Sequence, residues 1–127
     1  MTVRVIRIWP DPALKEVARR VDHIDDEIRT LVSDLFETMY KSNGVGLAAP
    51  QVAVPKQVLV IDLDPHGEAK GDPELEKELA AWGFQRPKAF INPQIVHREG
   101  EIVWKEGCLS LPGVNESVKR SEHVVVE

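Results

Sequence analysis

The sequence has few of the features that mark membrane, secreted or nucleic-acid-binding proteins. Its 127 residues include a single cysteine, so no internal disulfide can form, and a reducing cytoplasm is the expected location. No apolar run approaches the ~20 residues of a membrane span. The net charge of −5 argues against a general binder of nucleic acid or anionic membranes, because such proteins use clustered positive charge. The remaining class is a soluble globular protein.

The chain is long enough for one compact domain and too short for two. It contains no repeat, low-complexity segment or linker, so the expected organisation is a single domain over residues 1–127. A polar stretch from 65 to 88 reads as an insertion. Within it, Asp72 to Gly83 carries an aspartate cap, a proline at the first helical position and a closing glycine, which predicts a short surface helix.

The clearest predicted element is an amphipathic helix between Asp25 and Ser42. Asp25 can cap its start, and Asn43 and Gly44 supply a stop where a left-handed residue is favoured. Its apolar residues recur at the i, i+3, i+4, i+7 spacing of one helix face, so they are expected to face a core. They are Ile28, Leu31, Val32, Leu35, Phe36, Met39 and Tyr40.

Most of the remaining chain reads as short strands. The opening TVRVIRIWPDP is strand-like, and KQVLVIDLD has the composition and length of a buried strand. Further strands are expected in AFINPQIV, EIVWKEG, CLSLPG and HVVVE. The predicted class is therefore α+β, with short antiparallel strands packed around the main helix. Because HVVVE is ready to pair but no return strand follows it, the domain is expected to be incomplete.

The stretch GVGLAAPQ, Gly44 to Gln51, combines small residues with one terminal amide. Gly44 and Gly46 permit positive φ or close backbone approach, and Gln51 offers donors and an acceptor. These residues suit a wall on which a peptide-like ligand lies. The alternative is a tight helix-to-strand turn that needs glycine for its geometry alone.

Cys108, in the stretch KEGCLSLPG, is a second candidate for chemistry. A thiolate there could act as a nucleophile or a metal ligand, whereas the alternative is a small buried thiol. The histidines are His23, His66, His97 and His123, and no two have the i, i+4 spacing of a helical metal site. A thiol enzyme with Cys108 as nucleophile and His123 as base remains an alternative.

Taken together, these stretches resemble the peptide deformylase family. GVGLAAPQ after an amphipathic helix and the later EGCLS are similar to the family's first two signature motifs. The flanking LFETMYKSNGVGLAAPQV and FINPQIV also resemble it. The resemblance covers essentially the whole chain outside the 65–88 insertion.

The resemblance implies metal-dependent removal of the formyl group from N-formylmethionine of newly synthesised polypeptides. The implied substrates are N-formylmethionyl nascent peptides near the ribosome, and the implied metal is Fe²⁺, with Zn, Ni or Co as alternatives. Cys108 matches the cysteine metal ligand. Gln51 matches the glutamine whose amide donates to the developing oxyanion, and the backbone N–H of Leu109 matches the second donor.

Three further residues are assigned to substrate binding, the first by the same resemblance and the other two by their apolar character. Gly46 matches a glycine whose main chain pairs with the extended substrate. Val45 and Trp104 are assigned to the apolar pocket that would select methionine.

One departure from the family pattern matters. The family's third motif, H-E-x-x-H on a second helix, supplies two more metal ligands and the general base, and it is absent from residues 1–127. One cysteine cannot hold a catalytic metal that normally takes three protein ligands. Two hypotheses follow. The chain is a piece of an active deformylase that lacks its C-terminal helix, or it is a metal-free, inactive module that binds a peptide or partner.

Overall fold

A computed structural model of the chain describes residues 2–84 and 86–127, and it arranges them as an α+β fold. The helices are α1 (Asp26–Lys41) and α2 (Pro73–Trp82). The strands are β1 (Gly46–Ala48), β2 (Val58–Ile61), β3 (Lys88–Ile91), β4 (Ile95–Glu99), β5 (Ile102–Cys108), β6 (Leu111–Arg120) and β7 (His123–Val126). Within these two ranges, no helix is long and apolar enough to cross a bilayer.

Across the described part of the chain, the strands form three small antiparallel sheets. β2 lies between β1 and β3 in a three-stranded sheet, with Leu47 opposite Val60 and Val60 opposite Ala89. β4 pairs with β7, and β5 forms a hairpin with β6. The predicted α+β class with short antiparallel strands around a main helix is therefore confirmed.

The buried face of α1 is the centre of the hydrophobic core. The side chain of Asp25 accepts a hydrogen bond from the N–H of Ile28 at 3.1 Å, which caps the helix as its sequence predicts. Asn43 takes the left-handed conformation, with φ of 57°, one residue after the C-cap Ser42. One cluster joins this face to β1, β2, the segment between them and Val21, which precedes α1. It comprises Val21, Ile28, Leu31, Leu35, Met39, Leu47, Ala49, Val52, Val58 and Val60. The predicted core face is confirmed except at Tyr40, which is 39% exposed.

The N-terminal segment differs from its prediction, because residues 2–8 form no strand. The segment runs along α1, whose backbone groups are already used within the helix. Side chains of α1 take their place: Asp34 accepts from the N–H of Thr2 and Thr38 accepts from the N–H of Arg4, both at 2.8 Å. The alternating Val, Arg and Ile pattern thus produces an extended strap rather than a sheet strand.

The hairpin near Cys108 also differs from its prediction. CLSLPG is not one short strand, because Cys108 ends β5, a turn follows, and Leu111 begins β6. β6 continues to Arg120, well past the Pro and Gly that predicted its end. Most of β6 is exposed, so it lacks the alternation of apolar and polar residues that identifies a strand.

The 65–88 segment contains the predicted surface helix, α2. The side chain of Asp72 accepts from the N–H groups of Glu74 and Leu75, and Gly83 closes the helix with φ of 76°. Leu79 is buried, whereas Trp82, three residues further along the helix, is 56% exposed. α2 therefore buries only a narrow apolar stripe, centred on Leu79, against the rest of the described structure.

Tyr40 and Asp62 connect the end of α1 to the end of β2. The phenol of Tyr40 donates to Oδ2 of Asp62 at 2.6 Å. Asp62 is buried, and its backbone N–H donates to the carbonyl of Val45 at 2.9 Å. Burial first, and then the hydrogen bond and charge of Asp62, raise the pKa of Tyr40 to about 12.

The core predicts a large effect of truncating α1. Leu35→Ala should lower the free energy of unfolding by about 2–5 kcal/mol, because Leu35 is fully buried and leaves a cavity. Urea denaturation measures this. Val17→Ala is the control, since Val17 is 86% exposed and its truncation should change stability by no more than about 0.5 kcal/mol. Equal effects of the two substitutions would contradict this placement of the core.

The Tyr40–Asp62 pair predicts a stability loss at high pH. Tyrosinate absorbance should rise near pH 12 in the folded protein, and the chain has one tyrosine, so the signal is unambiguous. The unfolded chain loses this proton near pH 10. Stability from this group is therefore present below about pH 10 and is lost as pH rises toward about 12. Asp62→Asn should lower the midpoint, and a wild-type midpoint near 10 would contradict the contact.

Candidate functional site

One open cavity of about 580 Å³ lies between the segment that follows α1 and the β5–β6 hairpin. Residues 43–46 and Gln51 line one side, and residues 107–109 and 111–115 line the other. The fold thus brings together GVGLAAPQ and EGCLS, which are far apart in the sequence. Gln51, Cys108 and Leu109, the residues assigned to chemistry, all line this cavity.

The side-chain amide of Gln51 has a defined orientation. Gln51 lies in a 3-10 turn, Ala49–Val52, that begins directly after β1. Its Oε1 accepts from the backbone N–H of Ala48 at 3.0 Å, so the NH₂ group points the other way. Nε2 donates to Oγ of Ser110 at 3.1 Å and lies 3.6 Å from Sγ of Cys108. The amide donors are therefore directed at the Cys108 side of the cavity.

Cys108 is an exposed free thiol at the end of β5. The histidines nearest to it in sequence, His97 and His123, lie on β4 and β7 in a different sheet. In residues 2–84 and 86–127, no group of three or more His, Cys, Asp or Glu side chains is placed to hold a metal ion. These residues alone therefore do not fit a metal centre; among those that line the cavity, Cys108 is the one with a thiol, a group of the type that binds metals.

Gly44 and Gly46 are small for different reasons. A Cβ on Gly44 would lie 2.8 Å from Cδ1 of Leu109, so glycine lets Leu109 pack beside the end of α1. A Cβ on Gly46 would lie 3.7 Å from the carbonyl oxygen of Val60, which is an ordinary contact. Gly46 instead belongs to β1. In the sheet formed by the described residues, β1 is an edge strand that pairs with β2. An edge strand presents backbone donors and acceptors to an added strand.

The two residues assigned to the methionine pocket lie in different places. Val45 lines the cavity and is 52% exposed. Trp104 lies on β5 opposite Val118, is 62% exposed, and is not among the residues that line the cavity. Of the two, Val45 is therefore the residue that lies on the cavity wall.

Glu106 lies on β5 near the cavity and pairs with Arg120 across the hairpin. Arg120 donates through Nε and Nη2 to the two carboxylate oxygens of Glu106, at 2.9 and 2.8 Å. These hydrogen bonds hold the pKa of Glu106 below its usual value and raise the pKa of Arg120. The bidentate pair therefore links β5, which carries Cys108, to β6, which carries residues 111–115 of the cavity lining.

Sequence reasoning missed the polar contacts around Ser110. Ser110 is buried, and its carbonyl accepts from the N–H of Trp9 at 2.9 Å. The N–H of Arg7 donates to the carbonyl of Gln51 at 2.7 Å. The N-terminal strap thus holds both halves of the site. The available signal was a serine between two leucines in CLSL, where a buried hydroxyl needs a partner.

Comparison with protein families matches residues 3–127 to the polypeptide deformylase family. The peptide deformylase of Acetivibrio thermocellus is 49% identical over 127 residues, which is all of this chain and 63% of that protein. The peptide deformylase of Alkalilimnicola ehrlichii is 43% identical over 124 residues, or 98% of this chain and 61% of that protein. The chain thus spans about three fifths of the length of these curated relatives.

Solved structures agree with the sequence comparison. A peptide deformylase from Legionella pneumophila superimposes with a TM-score of 0.82 at 36% identity, over 98% of this chain and 64% of that one. The peptide deformylase of Ehrlichia chaffeensis in complex with actinonin superimposes with a TM-score of 0.83 at 38% identity, over 99% of this chain and 67% of that one. With the fold, the cavity and both motifs in agreement, the chain belongs to the polypeptide deformylase family.

Proposed function

We propose that the protein removes the formyl group from N-formylmethionine of newly synthesised polypeptides by metal-dependent hydrolysis. The observation that carries this proposal is the approach of Gln51 Nε2 to within 3.6 Å of Cys108 Sγ at one open cavity. An amide donor beside a thiol that we propose as a metal ligand suits hydrolysis of a formamide, because a metal polarises the carbonyl and the amide stabilises the oxyanion that develops. Membership of the deformylase family over residues 3–127 supports the same reaction.

In this proposal, Gln51 and Leu109 stabilise the developing oxyanion. Gln51 contributes its Nε2 donor, whose direction is set before substrate arrives by the Ala48 contact. Leu109 follows Cys108 directly and contributes its backbone N–H. A preorganised donor of this kind is typically worth about 2.7–4 kcal/mol in the transition state.

The peptide is proposed to bind along β1. Gly46 lies on this edge strand and lines the cavity, so an extended substrate can add to the sheet through main-chain hydrogen bonds. Val45, exposed in the cavity wall, is proposed to contact the methionine side chain. Trp104 is proposed as a second residue for that contact, because it lies on β5 with Cys108 and its ring is exposed.

Polypeptide deformylases are metal-dependent, and we propose Cys108 as one ligand of Fe²⁺, with Zn, Ni or Co as alternatives. Cys108 is an exposed thiol at the cavity, as a ligand requires. A catalytic metal normally takes three protein ligands, so the others must come from outside the described residues. Formylated nascent chains arise at ribosomes, and we propose that the protein meets its substrates there, in the cytoplasm.

Gln51→Ala should lower kcat by about 10²–10³ in the full-length, metal-loaded protein, with a smaller change in KM, because the lost donor acts on the transition state. Release of formate from a formylmethionyl tripeptide measures this. Gln94→Ala is the matched control, because Gln94 is exposed between β3 and β4 and lies outside the cavity. Equal kcat values for Gln51→Ala and wild type would exclude the oxyanion role.

Cys108→Ser should reduce bound metal, because a serine hydroxyl is a much poorer ligand for a soft or borderline metal than a thiolate. The metal-to-protein ratio of the purified full-length protein measures this, with Ser117→Ala as a control on the exposed part of β6. Full metal content and full activity in Cys108→Ser would rule out the ligand role. Metal-free wild-type protein that still binds formylmethionyl peptide would favour the inactive binding module.

A further inference from the structure

The side chain of Ser110 is a buried hydroxyl with one partner from a remote part of the chain. Ser110 is 3% exposed, and its Oγ accepts from Nε2 of Gln51 at 3.1 Å. The two residues are 59 apart in the sequence, so only the tertiary fold brings them together. A buried hydroxyl without a hydrogen bond is unfavourable, so this contact restrains both side chains.

The contacts of Gln51 divide its amide into two parts with separate roles. The amide offers one acceptor oxygen and two N–H donors on Nε2. Oε1 is held by the N–H of Ala48, which excludes the flipped amide because two donors would then face each other. One N–H of Nε2 is held by Ser110 Oγ, which leaves the other for the Cys108 side, 3.6 Å from Sγ. Ala48 therefore selects the amide face, and Ser110 sets where Nε2 points.

The backbones of the same two residues are held independently of the Ser110 hydroxyl. The N–H of Arg7 donates to the carbonyl of Gln51, and the N–H of Trp9 donates to the carbonyl of Ser110. These two bonds from one segment keep the turn that carries Gln51 and the hairpin loop at a set separation. Removing the hydroxyl alone should therefore release the Gln51 amide without separating the two halves of the site.

We propose that Ser110 is a positioning residue, whose hydroxyl aims the Gln51 amide at the reacting carbonyl. This inference rests on the proposed deformylase function for its kinetic consequence, but the contact itself can be tested without activity. Ser110 acts through Gln51 and does not touch the substrate. Loss of the hydroxyl should therefore lower kcat, because the remaining N–H of Gln51 Nε2 is then less well aimed at the carbonyl. KM should stay unchanged.

Side-chain amide resonances of Gln51 test the contact directly. The full-length protein loaded with Zn²⁺ is used because this d¹⁰ ion gives sharp spectra, and Gln51→Glu assigns the signal. In wild type the two amide protons should be well separated and protected from exchange with water. In Ser110→Ala they should move toward free-glutamine positions and exchange faster, and Ser110→Thr should restore them. The matched control is Ser117→Ala, on the exposed face of β6, which should change nothing.

Steady-state kinetics of the same variants test the consequence. Ser110→Ala should lose about tenfold in kcat at unchanged KM, the size expected for one misdirected neutral hydrogen bond, and Ser110→Thr should recover most of it. Unprotected Gln51 amide protons in wild type, or an unchanged signal in Ser110→Ala, would overturn the proposal even if a variant folds poorly. A rise in KM at constant kcat would also overturn it. If the wild-type protein has no deformylase activity but its Gln51 signal still depends on Ser110, the proposed function is wrong and the Ser110–Gln51 contact is correct.

Discussion

The burial of one face of α1 against β1 and β2 is the constraint on which the rest of the structure depends. Leu31, Leu35 and Met39 are almost inaccessible, and Val60 of the central strand packs against them. This packing decides where α1 ends and in which direction the chain leaves it. The first side of the cavity, residues 43–46 and Gln51, is placed by that exit.

The second half of the site is attached to this core through the 108–110 turn. Leu109 packs partly against the core cluster, and the absence of a side chain at Gly44 makes room for it. The turn therefore carries an apolar anchor, Leu109, between the exposed thiol of Cys108 on one side and the buried hydroxyl of Ser110 on the other. Apolar packing holds the turn in place, and the polar neighbours are aimed as a result.

Much of the fold could be predicted because local signals were strong. Both helices follow from caps, apolar periodicity and stop residues, and β2 follows from a Val, Leu and Ile run. The extended N-terminal segment could not be placed, because its alternating pattern fits a strand and a strap equally well. Its partners turned out to be side chains of α1, Asp34 and Thr38, and no local pattern encodes such a choice. The length of β6 was missed because an exposed hairpin strand carries little apolar alternation.

The amino-acid sequence by itself determined the candidate chemistry: a glutamine after small residues, a lone cysteine, and the family to which both motifs belong. Only the tertiary structure decided that these groups meet, that the Gln51 amide faces Cys108, and that Ser110 holds it there. It also separated Trp104 from the cavity that Val45 lines. The physical reason is that residue type and spacing set local conformation, whereas the direction of a side chain depends on partners brought together by burial of the core.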